Sequence, residues 1–213
     1  MSNYVKISNA VIRRLPKYIR HLNLIESKGV VRVSSQELSD TTGFTASQIR
    51  QDLNHFGGFG QQGYGYNVKE LRQALEEVVG LDKSYKAVLV GYGNLGRAIF
   101  NYYHESSILK FIGIFDINKD LDVNDVDLEI SHIDELSEFL DNNDVDFIVI
   151  TTPTSAIEEL TEKISEKDIK GVWNFTPIDL NLPDNIIIED VHLDESLSTL
   201  IYYMGNPQDY KAR

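Results

Sequence analysis

KAVLVGYGNLGRAIFNYY, residues 86–103, decides the fold of this chain. An apolar run ends at Val90, Gly91, Gly93 and Gly96 follow at once in GYGNLG, and Leu95, Ile99, Tyr102 and Tyr103 then recur at helical spacing. The order is strand, glycine turn, helix. In this arrangement the first glycine makes a tight turn, the second lets a pyrophosphate approach the backbone, and the third lets helix and strand pack closely. The phosphate charge then lies at a helix N-terminus, where unpaired N–H groups and the helix dipole favour anions. A lone GxGxxG is a weak signal. Here a second apolar strand, 111–115, ends in Asp116, twenty residues past Gly96, where the dinucleotide fingerprint requires a carboxylate for the adenine ribose. A carboxylate accepts from a 2′-hydroxyl and repels a 2′-phosphate, so the spacing predicts NAD(H) over NADP(H). The candidate cofactor contacts in this stretch are Gly91, Tyr92, Gly93, Asn94, Leu95, Gly96 and Asp116.

Towards the C-terminus the α/β alternation continues, with strands expected over 145–150, 171–174 and 186–189 and a helix over 155–164. A doubly wound parallel sheet follows from this order. TTP (Thr151, Thr152, Pro153) and NFTP (Asn174, Phe175, Thr176, Pro177) come directly after strands, at the carboxyl edge where such sheets bind dinucleotides. Each proline serves equally as a strand stop, so cofactor contact and simple termination both stand. Residues 193–204 form a terminal helix with Leu197, Leu200, Ile201 and Met204 on its apolar side, which requires a partner surface.

Towards the N-terminus, residues 6–28 read as one helix kinked at Pro16. Ser34 with Glu37 fits a capping box, Thr45 with Gln48 fits a second, and Gly43 between them ends the first helix. Two short helices joined by such a turn match helix-turn-helix spacing. Ile49, Leu53 and Phe56 face inward, leaving Ser47, Arg50, Gln51 and Asn54 outside, residue types that pair with guanine and adenine edges. GGFGQQGYGYNV, residues 57–68, has the glycine and aromatic content of a wing. The candidate DNA contacts are therefore Ser47, Gln48, Arg50, Gln51 and Asn54 on the helix, with Gln61, Gln62 and Tyr64 in the wing. Taken alone, such a helix pair is more often an ordinary packed hairpin; the glycine run could equally start a linker, but Phe59, Tyr64 and Tyr66 argue against a purely solvated one.

Charge divides along the same line. Residues 1–80 carry ten Lys and Arg against seven Asp and Glu, a balance of +3, whereas residues 81–213 carry ten against twenty-six, a balance of −16. A basic head on an acidic body suits a chain that places one end on a polyanion. Domains are expected over 1–80 and 85–190, with a dimerisation helix over 191–205. Cysteine is absent, which excludes disulfides and thiol-based redox sensing. With neither a spanning segment nor a secretion signal, a cytoplasmic protein is expected. The five histidines, His21, His55, His104, His132 and His192, show no metal spacing, and no nucleophile elbow, P-loop lysine or paired-carboxylate motif is present. About 130 residues suffice for one dinucleotide domain but not for an added substrate domain, so the dinucleotide is expected to act as a regulatory ligand, not in catalysis.

The winged helix, GYGNLG, Asp116 and the final IYYM together resemble the Rex family of redox-sensing transcriptional repressors over nearly the entire chain. The string SSQELSDTTGFTASQIRQDLNHFGGFGQQGYGYNV carries the resemblance most specifically, with RRLPKYIR and KGVWNFTP in support. It implies a homodimer that exchanges C-terminal helices, binds an inverted-repeat operator ahead of fermentative and respiratory genes, and is released by NADH with NAD+ competing. Arg20, Tyr102 and His192 would form its switch, and Tyr102 would also approach the cofactor. The chain departs from the family at Gln51 and Gln62, where basic residues are usual, and at His192, where an aspartate usually pairs with the residue equivalent to Arg20. Fewer phosphate partners weaken DNA binding or alter operator preference, and a protonated His192 would repel Arg20. These departures point to a divergent paralogue. The rival readings are a small NAD-dependent oxidoreductase with a helical N-terminal oligomerisation domain, and a scaffold that binds no DNA.

Overall fold

The computed structural model describes residues 7–57, 60, 61, 64–118, 121 and 128–210. They form two compact units, Met1–Asp82 with Gln208–Arg213, and Lys83–Pro207.

In the first unit Pro16 begins a helix; it does not kink one. The chain breaks into α1 (Asn9–Ile12) and α2 (Leu15–Glu26), and the proline occupies the first turn of α2, where no backbone donor is needed. Ser34 caps α3 (Ser35–Thr42) with a full capping box, and Gly43 ends it in the left-handed conformation at φ 74°. Thr45 then caps α4 (Ala46–Asn54). The strand β1 (Arg32–Val33), invisible in the periodicity because it is two residues long, joins β2 (Gly60–Gln61) and β3 (Gly65–Asn67) in the antiparallel order β1-β3-β2. Asn67 caps α5 (Val68–Val79), which Gly80 terminates. Leu15, Leu22, Leu38, Ile49, Leu71 and Leu75 are fully buried in one core, each stabilising the unit by roughly 1.5–3 kcal/mol relative to exposure.

The second unit is one six-stranded parallel sheet. Its strands are β4 (Tyr85–Val90), β5 (Leu109–Asp116), β6 (Ile130–His132), β7 (Phe147–Ile150), β8 (Gly171–Asn174) and β9 (Ile187–Asp190), in the order β6-β5-β4-β7-β8-β9. α6 (Asn94–Tyr103), α7 (Leu136–Asn142) and α8 (Ile157–Ser165) alternate with them. Separate apolar clusters contain Val88, Val90 and Ile148 on the one hand and Ala87, Leu89 and Val149 on the other. That division is the period-2 alternation of a sheet covered on both faces. β6 and α7 were not anticipated from the sequence. The strand order reverses between β4 and β7, and the carboxyl ends of those two strands are where an open α/β sheet has its crevice. α9 (Leu193–Gly205) closes the unit with no buried residue, and Leu193, Leu197, Leu200, Ile201 and Met204 are each more than half exposed. None of the described helices is long and apolar enough to cross a membrane.

Candidate functional site

A cleft of about 610 Å³ opens at the β4/β7 reversal, lined among others by Gly91, Gly93, Leu95, Asp116, Thr151 and Thr152. Each glycine of the turn has its own reason. Gly91 takes φ +93°, and a Cβ there would lie 2.9 Å from the Thr151 backbone. A Cβ on Gly96 would lie 2.0 Å from the carbonyl oxygen of Gly91, so helix α6 approaches the turn closer than any side chain permits. At Gly93 a Cβ would meet nothing within 4 Å, and the residue lines the cleft. The space it leaves is the cradle a pyrophosphate needs, at the N-cap of α6, which has no side-chain cap.

Asp116 lines the same cleft at the end of β5. Its Oδ2 accepts the Tyr92 N–H at 2.6 Å and its Oδ1 accepts the Asn118 N–H at 2.9 Å, fixing the carboxylate while leaving each oxygen a second lone pair for a ribose hydroxyl. Thr151 donates from Oγ1 to the Gly91 carbonyl at 2.7 Å and closes the turn. Thr152 Oγ1 is shut from solvent and has no protein partner, an orphaned hydroxyl of the kind a bound polar ligand satisfies. Open cradle, fixed carboxylate and orphaned hydroxyl together fit a dinucleotide.

Pro153, Phe175, Thr176 and Pro177 also line the cleft, whereas Tyr92, Asn94, Gly96, Asn174 and Tyr102 do not. Tyr92 is buried and packs edge-on against Phe100, so only its backbone serves the site. Tyr102 is 79% exposed and meets Tyr103, because the face of α6 that it occupies points away from the sheet. The Asn174 side chain is consumed by internal hydrogen bonds. Conversely, Ile133, Leu160 and Lys163 line the cleft from elements whose placement only the sheet topology decides.

Trp173 lies beside Phe175, ring centroids 4.7 Å apart, and Phe175 lines the cleft. NADH absorbs where tryptophan emits, so NADH added to the protein should quench the Trp173 fluorescence. Unchanged emission at saturating NADH would remove the ligand from this cleft.

In the first unit Ser47, Arg50, Gln51 and Asn54 are exposed along α4 and Gln48 is half-buried. Arg50 donates to Ser35 Oγ at 2.8 Å, which ties its guanidinium to the start of α3. Tyr64 is 71% exposed, and its carbonyl accepts from Arg32 at 3.4 Å. Gln61 pairs with Gly65 through its backbone in the wing, and Gln62 lies outside the described residues.

Asp52, which the sequence reading passed over, is a buried carboxylate on α4, 3% exposed. Arg14 grips it through Nε and Nη2, both at 2.7 Å, and Tyr18 Oη donates to it at 2.7 Å. Burial and the bond to Asp52 push the Tyr18 phenol up, while the bond to Asp52 raises Arg14. Its position, one turn from Ile49 and adjacent to Leu53, was the available signal of an inward-facing charge.

Arg20 is exposed on α2. His192 is the N-cap residue of α9, its Nδ1 3.2 Å from Glu195 Oε1. Glu195, with Asp190 and Asp179, holds the imidazolium above the ordinary 6.5. This pairing is complete below pH 6.5 and is lost as pH rises through the raised value. A titration of His192 followed by NMR should therefore give a midpoint above 6.5; one at or below it would remove the pairing.

Residues 6–54 match the family model "Putative DNA-binding protein N-terminus", and residues 82–178 match "CoA binding domain". The chain is 50% identical to the redox-sensing transcriptional repressor Rex of Clostridium botulinum (strain Alaska E43 / Type E3) over 206 residues, 96% of this chain and 98% of the other. With that of Caldanaerobacter subterraneus subsp. tengcongensis it shares 46% identity over 99% of this chain and 95% of the other. The crystal structure of RSP in complex with beta-NAD+ and operator DNA is similar at TM-score 0.86 and 46% identity, covering 95% of this chain and 94% of that one. RSP in complex with beta-NADH is similar at TM-score 0.87 and 43% identity, covering 96% and 97%. With its helix-turn-helix, its glycine turn and these relatives over nearly its whole length, the chain belongs to the Rex family of redox-sensing transcriptional repressors.

Proposed function

We propose that this chain represses transcription by binding an inverted-repeat operator through α4 and the wing, and leaves DNA when NADH occupies the cleft at the β4/β7 reversal. The observation that carries this reading is the likeness over 95% of the chain to a repressor solved with both NAD+ and operator DNA. When bound, the dinucleotide supplies its redox state as a signal. Gly91 and Gly93 receive the pyrophosphate, Asp116 takes the adenine ribose, and Thr151, Thr152, Pro153, Phe175, Thr176 and Pro177 wall the cleft. On DNA, Ser47, Gln48, Arg50, Gln51 and Asn54 face the groove, with Gln61, Gln62 and Tyr64 from the wing.

The working form is a cytoplasmic homodimer, with the exposed apolar side of α9 covered by a second copy. NADH binds better to a dimer shape whose recognition helices are wrongly spaced for DNA, and the coupling can be no larger than the difference in NADH affinity between the two shapes. Arg20, Tyr102 and His192 belong to the moving parts of this switch. No residue acts as a catalyst, a reading supported by relatives named as repressors.

A mobility-shift titration tests this against the oxidoreductase alternative. Specific duplex binding should be abolished by NADH and unaffected by an equal concentration of NADPH, which Asp116 repels. Duplex binding indifferent to NADH, or substrate-dependent NADH oxidation without duplex binding, would overturn the reading.

A further inference from the structure

A single buried amide joins the cleft wall to the head of α9. Asn174, at the end of β8, is fully buried. Its Nδ2 donates to the Ile178 carbonyl at 2.8 Å and to Asp190 Oδ1 at 2.7 Å. Its Oδ1 accepts the Thr176 N–H at 3.0 Å and the Thr176 hydroxyl at 2.8 Å. Two donors and two acceptor positions are all that an asparagine amide possesses. The Asn174 carbonyl also accepts the Val191 N–H at 2.8 Å.

On the input side, Thr176 is 2% exposed and lines the cleft with Pro177. On the output side, Asp190 ends β9 two residues before His192, the N-cap of α9. Side-chain atoms of Asp179, Asp190 and His192 lie within 4.8 Å of one another, and His192 reaches Glu195 in the first turn of α9. Asp179 follows Thr176 by three residues, directly after the bend at 176–178.

A saturated buried amide has no spare bond with which to absorb a displacement. If Thr176 moves, Asn174 either leaves a buried polar group unpaired, which is costly, or moves with it. β8 packs through Val172 into a dense core, so the backbone resists. Asp190 is exposed and on an edge strand, so it yields. Motion at the cleft wall therefore leaves through Asp190 towards the acidic cluster around His192.

We propose that Asn174 and Asp190 are positioning residues that carry occupancy of the cleft to the first turn of α9, neither touching the ligand. The inference rests on the NADH-released repressor reading above. Its test uses the full-length protein and a duplex selected by the wild-type chain from a randomised pool. NADH affinity is measured by titration calorimetry without DNA, and duplex affinity with and without saturating NADH. Asp190→Ala removes an exposed carboxylate and no core side chain, and leaves one Asn174 Nδ2 hydrogen without its acceptor. It should bind NADH, and duplex without NADH, within about 3-fold of wild type, while the NADH-dependent loss of duplex affinity shrinks about 10-fold, within the range of ordinary allosteric couplings. Asp190→Asn, which keeps an acceptor for Asn174 Nδ2, should restore most of the coupling. Wild-type coupling in Asp190→Ala would overturn the relay, as would loss of NADH binding, which would make Asp190 a contact. If the wild-type chain itself shows no NADH effect, the repressor reading fails first and takes the relay with it.

Discussion

Gly96→Ala is expected to abolish measurable NADH binding and to lower thermal stability, whereas Gly93→Ala is expected to abolish binding alone. The two glycines are three residues apart in one turn and differ only in what surrounds them. A methyl group at Gly96 would sit 2.0 Å from the Gly91 carbonyl oxygen and 2.8 Å from Thr151 Oγ1. The obstacle is backbone, so α6 or the turn must move. Overpacking of this kind costs about 1–3 kcal/mol, and displacement of the turn also removes the cradle. At Gly93 the φ of −71° suits any residue, and a methyl group meets no protein atom within 4 Å. Its only consequence is to occupy the space kept for the ligand. Calorimetric titration with NADH and thermal unfolding separate the two cases. If Gly93→Ala bound NADH normally, the cleft would not be the dinucleotide site. If Gly96→Ala were as stable as wild type, the close approach of α6 would not be a constraint.

Asp52→Ala should destabilise the winged-helix unit by about 3 kcal/mol, the low end for breaking a buried ion pair. The substitution strips α4 of the hydrogen bonds that Asp52 accepts from Arg14 and Tyr18. Tyr18, fully buried, loses the acceptor for its hydroxyl, and Arg14 loses both bonds from its guanidinium. Arg14 keeps 17% side-chain exposure and can turn partly to water, which sets the estimate at the lower end. Chemical denaturation of the wild-type and variant chains, followed by circular dichroism, measures the loss. A change under about 0.5 kcal/mol, the range of an ordinary surface substitution, would reduce the triad to an incidental contact. Asp52→Asn retains an acceptor for Tyr18 and should lie between the two.

The glycine turn was legible because each of its requirements is local: a positive φ, a close approach and a helix start all leave marks within six residues. The caps at Ser34 and Thr45 belong to the same class, since a cap is a contact between residues three apart. Pro16 was misread because a proline within a helical pattern and one at a helix start look alike until the α1/α2 break is seen. Asp52 leaves no local mark beyond its position beside Ile49 and Leu53, because a carboxylate on a polar helix looks the same in sequence whether it faces water or the core. Its partners lie 34 and 38 residues away, beyond any periodic signal. Asn174 and Tyr102 show the converse: a residue directly after a strand, or on the helix after the turn, is near the cleft in sequence without facing it.

By itself the sequence determined the two modules, their order, the carboxylate at Asp116 and the face of α4 left to solvent, because periodicity, capping and the glycine fingerprint are short-range constraints that a chain carries wherever it folds. Only the tertiary structure decided which of those residues wall the cleft, that Asp52 is held between Arg14 and Tyr18, and that Asn174 spends every hydrogen bond on Thr176, Ile178 and Asp190. These depend on strand order and on contacts between residues far apart along the chain, and sequence spacing carries no record of either.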